Sequence, residues 1–184
     1  MDLIILGLSL VAIAMIFCYT LLTGSPPTPT SPKVRNAMLA LLPKRLPEVF
    51  EDKGRVYELG AGWGGNALVF ARMFSSHRVI AIERSPLPWV FTWIRLATGG
   101  PKNLEIHLND FSQYNLCDAA LVSCYLSARQ MEVLEKKLER EMVPGTLVVC
   151  HTFAMPNWQP IATVYADDLY KSPVYLYKTP NFKV

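Results

Sequence analysis

The 184-residue chain is poor in the residues that build metal centres and disulfide scaffolds. Its three histidines (His77, His107, His151) stand alone, without the spacing that would let two of them share an ion. Its four cysteines have no paired spacing: Cys18 lies in an apolar segment, and Cys117, Cys124 and Cys150 fall in apolar runs. They read as small buried hydrophobes on a reducing side of the membrane, not as a disulfide framework. A net charge of +3 is too mild to argue for nucleic acid, so no nucleic-acid partner is expected. There is no internal repeat, and the one biased stretch is a short proline-rich run.

Charge is missing altogether from residues 3–22, LIILGLSLVAIAMIFCYTLL, long enough to cross a hydrocarbon core as a helix. A secretory signal would want a basic start, a shorter apolar run and small residues before the cut. Asp2 is the only charge ahead of this run, and Phe17 stands where a lipoprotein cut before Cys18 would need a small residue. A retained transmembrane anchor over residues 1–23 is the expectation, with the lipid bilayer as its partner. Lys33, Arg35, Lys44 and Arg45 follow the span and no basic residue precedes it. The remaining domain should therefore face the cytoplasm, or the mitochondrial matrix in a eukaryote.

Residues 24–32, GSPPTPTSP, form a stiff connector. Ser31 and Pro32 then make an N-cap and first helical position, opening a helix that should stop at Pro43. Residues 33–184 are about the size of one domain. Strand-like runs at 55–59, 78–83, 104–108, 119–125 and 146–152 alternate with helical stretches at 66–74, 88–97 and 128–142. The last helix carries Met131, Leu134, Leu138 and Met142 on one face. Such alternation predicts an α/β, Rossmann-like doubly wound sheet, mostly parallel. Runs at 161–167 and 174–178 predict a C-terminal antiparallel hairpin, so that five parallel strands are closed by a reversed pair.

The turn after the first strand reads ELGAGWGG. Gly60, Gly62 and Gly65 satisfy a dinucleotide fingerprint, while Gly60, Gly62 and Gly64 satisfy the pattern of S-adenosylmethionine enzymes. The glycines alone do not choose; three acids do. Glu58 precedes the first glycine, where its carboxylate can meet a cationic amino-acid end but would repel a pyrophosphate. Glu83 ends the second strand, placed to accept from ribose hydroxyls, which suits either cofactor. Asp110 follows the third strand, where it can accept from the adenine amine with Phe111 near the ring. A dinucleotide enzyme would also need a substrate-binding half, for which the sequence leaves no room. S-adenosyl-L-methionine is the expected cofactor, and no metal is expected.

At these residues the chain resembles the class I, seven-stranded S-adenosylmethionine-dependent methyltransferases. More narrowly it resembles the small membrane-anchored lysine methyltransferases of the ATP synthase c-subunit and of the adenine nucleotide translocase, with their prokaryotic relatives. The likeness runs over most of residues 24–160, through PPTPTS, VYELGAGWGG, VIAIERSP, NDFSQYNL, Tyr125-Leu126 and QMEVLEKKLEREMVPGTLVVCHTFAMPNWQP. It departs where relatives often carry Asp-Gly and this chain has Trp63-Gly64. The resemblance implies methylation of a lysine in a protein in or near a membrane, with Thr28 and Thr30 folding over the cofactor. A small-molecule or phospholipid methyltransferase, or a non-catalytic membrane-tethered module, are the alternatives.

Methyl transfer needs alignment and exclusion of water more than it needs acid–base groups. Tyr125, at the end of the fourth strand, lies where this fold puts the acceptor. His151 and Trp158, at or beyond the end of the fifth, share that rim, where aromatic rings could wall a nitrogen by cation–π attraction. Tyr125, His151 and Trp158 are the candidate catalytic residues.

Overall fold

In a computed structural model that describes residues 2–24, 28–47 and 54–180, seven strands form one sheet in the order β3-β2-β1-β4-β5-β7-β6. They are β1 (Arg55–Leu59), β2 (Val79–Glu83), β3 (Leu104–Leu108), β4 (Ala119–Cys124), β5 (Leu147–His151), β6 (Ala162–Tyr165) and β7 (Pro173–Lys178). Neighbours among β1–β5 pair in parallel, and β7 pairs antiparallel with both β5 and β6. Of the expected reversed pair, then, only β7 runs against the sheet. It inserts between β5 and β6, which puts β6 on the edge in the parallel sense.

Strand alternation sorts the core into two layers. Val56, Val79, Ala81, Leu121 and Val149 face a cluster completed by α2 (Pro32–Leu41) and α3 (Gly65–Met73). Their neighbours Tyr57, Ile80, Ile82, Val122 and Val148 face Met131, Leu134 and Leu138 of α5 (Ala128–Glu141). Both faces are covered, as the apolar strands require. Two helix starts are legible: Ser31 Oγ accepts from Val34 N ahead of Pro32, and Ser127 with Gln130 forms a capping box on α5.

α1 (Asp2–Thr23) stands apart from this core. Among the described residues it is the one helix long and apolar enough to cross a membrane, over Leu3–Leu22, and that segment is not buried against the rest of the chain. Residues 25–27 of the expected connector lie outside the described residues. α4 (Pro86–Ala97) flanks the β3 edge. The order places β1 and β4 side by side at the centre, with the chain leaving them toward opposite edges. A crevice therefore opens beyond their carboxyl ends.

Candidate active site

The crevice has two halves that meet at the glycine loop. One half is lined by Glu83, Ser85, Asp110, Phe111 and Ser112, the other by Thr30, Arg35, Glu58, Trp63 and Asn66. Thr28, Gly60, Gly62 and Tyr125 border both. The loop is held open by its own backbone: Gly60, Gly62 and Gly64 all have positive φ, whereas Gly65 begins α3 with no such need. Gly64 is the most constrained, since a Cβ there would sit 2.5 Å from the Thr92 methyl.

Glu83 braces this loop. Its Oε2 accepts from Gly62 N at 2.6 Å and its Oε1 from Ser85 N at 2.7 Å. Lone pairs remain for hydroxyl donors from a ligand. Asp110 caps the short 3-10 turn at Phe111–Gln113 through Ser112 N, 2.9 Å from Oδ1, and its Oδ2 lies 3.2 Å from an Arg84 guanidinium nitrogen. Phe111 is buried along the same wall.

Glu58 is the chemically distinctive group. It is buried near the end of β1, and burial pushes its carboxyl up to about 7 against smaller opposing pulls from Ser123, Asn66 and Arg35. Asn66 Nδ2 donates to Oε1 at 3.2 Å, while Oε2 has no hydrogen-bond partner among the described residues. Ser123, its register partner on β4, lies close enough to favour the anion, yet its hydroxyl makes no well-formed bond. A buried carboxyl in the crevice lining with one oxygen unpaired has capacity left for a cationic donor.

Two residues that the sequence reading did not single out for the site connect Glu58 to the far rim. Arg35 Nε donates to Asn66 Oδ1 at 3.0 Å, which fixes the orientation of the amide. Asn66 Nδ2 then serves both Glu58 and Thr30 Oγ1, the latter at 3.0 Å. Arg35 also donates to the Thr30 carbonyl at 3.1 Å and lines the crevice. The Thr30 hydroxyl lies 3.0 Å from His151 Nε2, and the His151 ring stacks on Tyr125 with centroids 4.1 Å apart. The other ring nitrogen, Nδ1, lies 3.0 Å from Thr152 Oγ1, so both imidazole nitrogens have a hydroxyl partner.

Two catalytic expectations need correction. Trp158 does not join the crevice: its indole is buried on the α5 side of the sheet, 6.2 Å from the Tyr177 ring, with Nε1 donating to Glu139 Oε1 at 3.2 Å. Glu135 on the same helix holds the preceding Asn157 through its backbone and side-chain nitrogens. His151 lies behind the crevice wall, against Thr30 and Tyr125; burial lowers its imidazole to about 4 and both ring nitrogens are engaged. It is too weak a base for an ammonium group and is placed to hold Thr30 and Tyr125. Tyr125 is half-buried and lines both half-crevices, as does Thr28, and Thr30 lines one of them.

A seven-stranded sheet with one reversed strand, a glycine loop at its switch point and acids at the carboxyl ends of β1, β2 and β3 define a class I methyltransferase fold. Solved structures agree. An RNA methyltransferase from Salinibacter ruber, in complex with S-adenosyl-L-homocysteine, superposes with a TM-score of 0.70 at 27% identity over 85% of this chain and 97% of that one. A precorrin-6y C5,15-methyltransferase from Geobacter metallireducens shares the fold, with a TM-score of 0.59 at 17% identity over 80% of this chain and 87% of its own. Residues 58–162 match the model of the ANTKMT methyltransferase domain, and the chain belongs to that family. A protein-lysine N-methyltransferase of Saccharolobus islandicus is 29% identical over 83% of this chain and 92% of its own length. The mouse adenine nucleotide translocase lysine N-methyltransferase is 30% identical over 60% of this chain. The alignment spans 48% of that mouse protein.

Proposed function

We propose that this chain is an S-adenosylmethionine-dependent protein-lysine N-methyltransferase acting on a protein in or beside a membrane. The observation that carries the cofactor assignment is Glu58, a buried carboxyl in the lining of the crevice beside the glycine loop, with one oxygen unpaired. It fits a cationic amino-acid sulfonium and would repel a pyrophosphate. In this reading Glu83 accepts from the ribose hydroxyls, Asp110 from the adenine amine with Phe111 beside the ring, and Gly60, Gly62 and Gly64 let the backbone approach. Thr28 and Thr30 close the connector over the methionine end.

S-adenosylmethionine supplies an electrophilic methyl group, so the chain's own residues need only position the acceptor and keep out water. The acceptor amine must be neutral, and the crevice favours that form through desolvation. Tyr125 lies where both half-crevices meet and directs the amine with its ring and hydroxyl. His151 beneath it is a positioning residue that ties Tyr125 to the Thr30 latch. The amine proton leaves to water.

The lysine assignment draws on the relatives, whose names record lysine N-methyltransfer in an archaeon and in mouse. The membrane assignment draws on the apolar span at Leu3–Leu22 with the basic residues that follow it. Residues 1–23 serve as the anchor, 24–32 as the connector and 33–184 as the catalytic domain facing the cytoplasm or matrix. Membranes incubated with the full chain and methyl-labelled S-adenosylmethionine should yield label on protein lysines. Label confined to extracted lipid or RNA would contradict the reading, and absence of label despite cofactor binding would favour a non-catalytic module.

A further inference from the structure

α4 is built inside out for a helix on a soluble protein. Its central buried residue is Thr92, fully enclosed against the glycine loop, while Val90, Phe91, Trp93 and Ile94 are 39%, 46%, 53% and 49% exposed. Trp89 stacks beside Trp93 with centroids 6.5 Å apart. Residues 84–104 contain no acid but carry Arg84, Arg95 and Lys102. Apolar side chains with tryptophans on the outer face and a purely basic margin are the composition of a helix lying in a lipid interface.

Its position relative to α1 supplies the second, independent observation. Met15, Ile16 and Tyr19 share a small recess with Ser85, Leu87 and Pro88 at the start of α4. The apolar span ends at Leu22. At 1.5 Å per residue, contacts three to seven residues before that end lie about 5–10 Å below it. That is the depth at which interfacial helices settle, roughly 5–10 Å into the boundary between headgroups and acyl chains.

We infer that the outer face of α4 (Val90, Phe91, Trp93 and Ile94, flanked by Trp89) is a second membrane contact, immersed in the interface of an anionic bilayer beside the α1 span. The inference rests on reading α1 as spanning. It fixes the orientation of the domain on the membrane, which a single helix followed by a connector would leave free. Ser85 lines both the recess and the crevice, so this orientation brings the crevice against the bilayer surface. A substrate side chain could then be presented from the membrane side.

The test uses the full chain in phosphatidylcholine–phosphatidylglycerol vesicles containing lipid brominated near the glycerol end of its acyl chains. The chain has four tryptophans, none of them in α1, so quenching reports on the domain alone. Tryptophan emission should fall by roughly half or more. Because Trp63 packs edge-on against Phe91, the comparison is made in a Trp63→Phe background; there most of the quenching should vanish when Trp89→Phe and Trp93→Phe are added, since the remaining Trp158 is buried on the opposite face of the sheet. Ile94→Asp, at an exposed site, should reduce quenching of the natural tryptophans without unfolding the chain. Flotation with the vesicles but no quenching of Trp89 and Trp93 would overturn the inference and leave the anchor standing. Failure to float would remove both. Should the two tryptophans stay unquenched in lipid yet become shielded from aqueous iodide when the protein substrate is added, the face docks protein, and the lipid assignment fails.

Discussion

The Thr30 hydroxyl and His151 Nε2 lie 3.0 Å apart across 121 residues of sequence, joining the segment before α2 to the end of β5. This bond, with the Asn66 amide behind it, ties Thr30 at the crevice lining to the end of β5. Thr30→Val keeps the shape and removes the hydroxyl. It should lower stability by about 1–2 kcal/mol and weaken S-adenosylmethionine binding by roughly tenfold, with Thr30→Ser restoring both. Chemical denaturation and calorimetry read the two effects, and unchanged affinity would show that the latch does not cover the ligand.

Glu58 carries a carboxyl raised to about 7 by burial. If a cationic cofactor is bound by the anion, binding must release the proton that the free protein holds below that pH. Affinity should rise roughly tenfold between pH 6 and 8, with net proton release visible in buffers of different ionisation enthalpy. Glu58→Gln should bind weakly at every pH and release no proton. Without ligand the same variant should be the more stable one above pH 7, where the natural chain must bury an unpaired charge. Equal proton traffic in both proteins would remove Glu58 from the cation site.

His151 titrates in the opposite sense. Its folded-state value of about 4 lies below the ordinary 6.5, so between those limits the unfolded chain binds the extra proton. Its contribution to stability is complete above pH 6.5 and is lost as the pH falls toward 4, by up to about 3 kcal/mol. His151→Phe retains the stack on Tyr125 and removes this acid sensitivity. The gap between the two proteins should therefore narrow or invert on acidification. Parallel pH–stability curves would contradict a buried neutral imidazole.

At Gly64 two costs coincide, a φ of +72° and the Thr92 side chain at 2.5–2.8 Å from any Cβ. Gly64→Ala should destabilise by about 2–4 kcal/mol. Adding Thr92→Ala should recover the steric part and leave the backbone part, a coupling that a double-mutant cycle measures. Gly65→Ala meets only the end of the Arg35 side chain and should act on the Arg35–Asn66 contact before it acts on stability. Equal losses at both glycines would refute the distinction.

The fold was largely legible because its signals are local. The Ser31-Pro32 start of α2, the strand at Arg55–Leu59 and the amphipathic α5 each follow from short-range chemistry, and the structure places them within a residue or two. The insertion of β7 between β5 and β6 was not legible, since pairing order depends on long-range register. The acids at the carboxyl ends of β1, β2 and β3 could be read from strand ends alone. Arg35 and Asn66 could not: one appeared as a basic residue after an apolar span, the other as a helix start, and only the tertiary fold brings them together. Trp158 followed β5 as a rim residue should, but the clamp of Glu135 on Asn157 draws that segment down onto α5.

Calorimetric titration of the full chain, solubilised in mild detergent, tests the central claim most directly. S-adenosylmethionine and S-adenosylhomocysteine should bind at a single site, and Glu83→Ala should weaken them by about 1–3 kcal/mol through loss of hydrogen bonds to a charged group. Nicotinamide dinucleotides should not bind. Retention of a dinucleotide with no heat from either adenosyl compound would contradict the account.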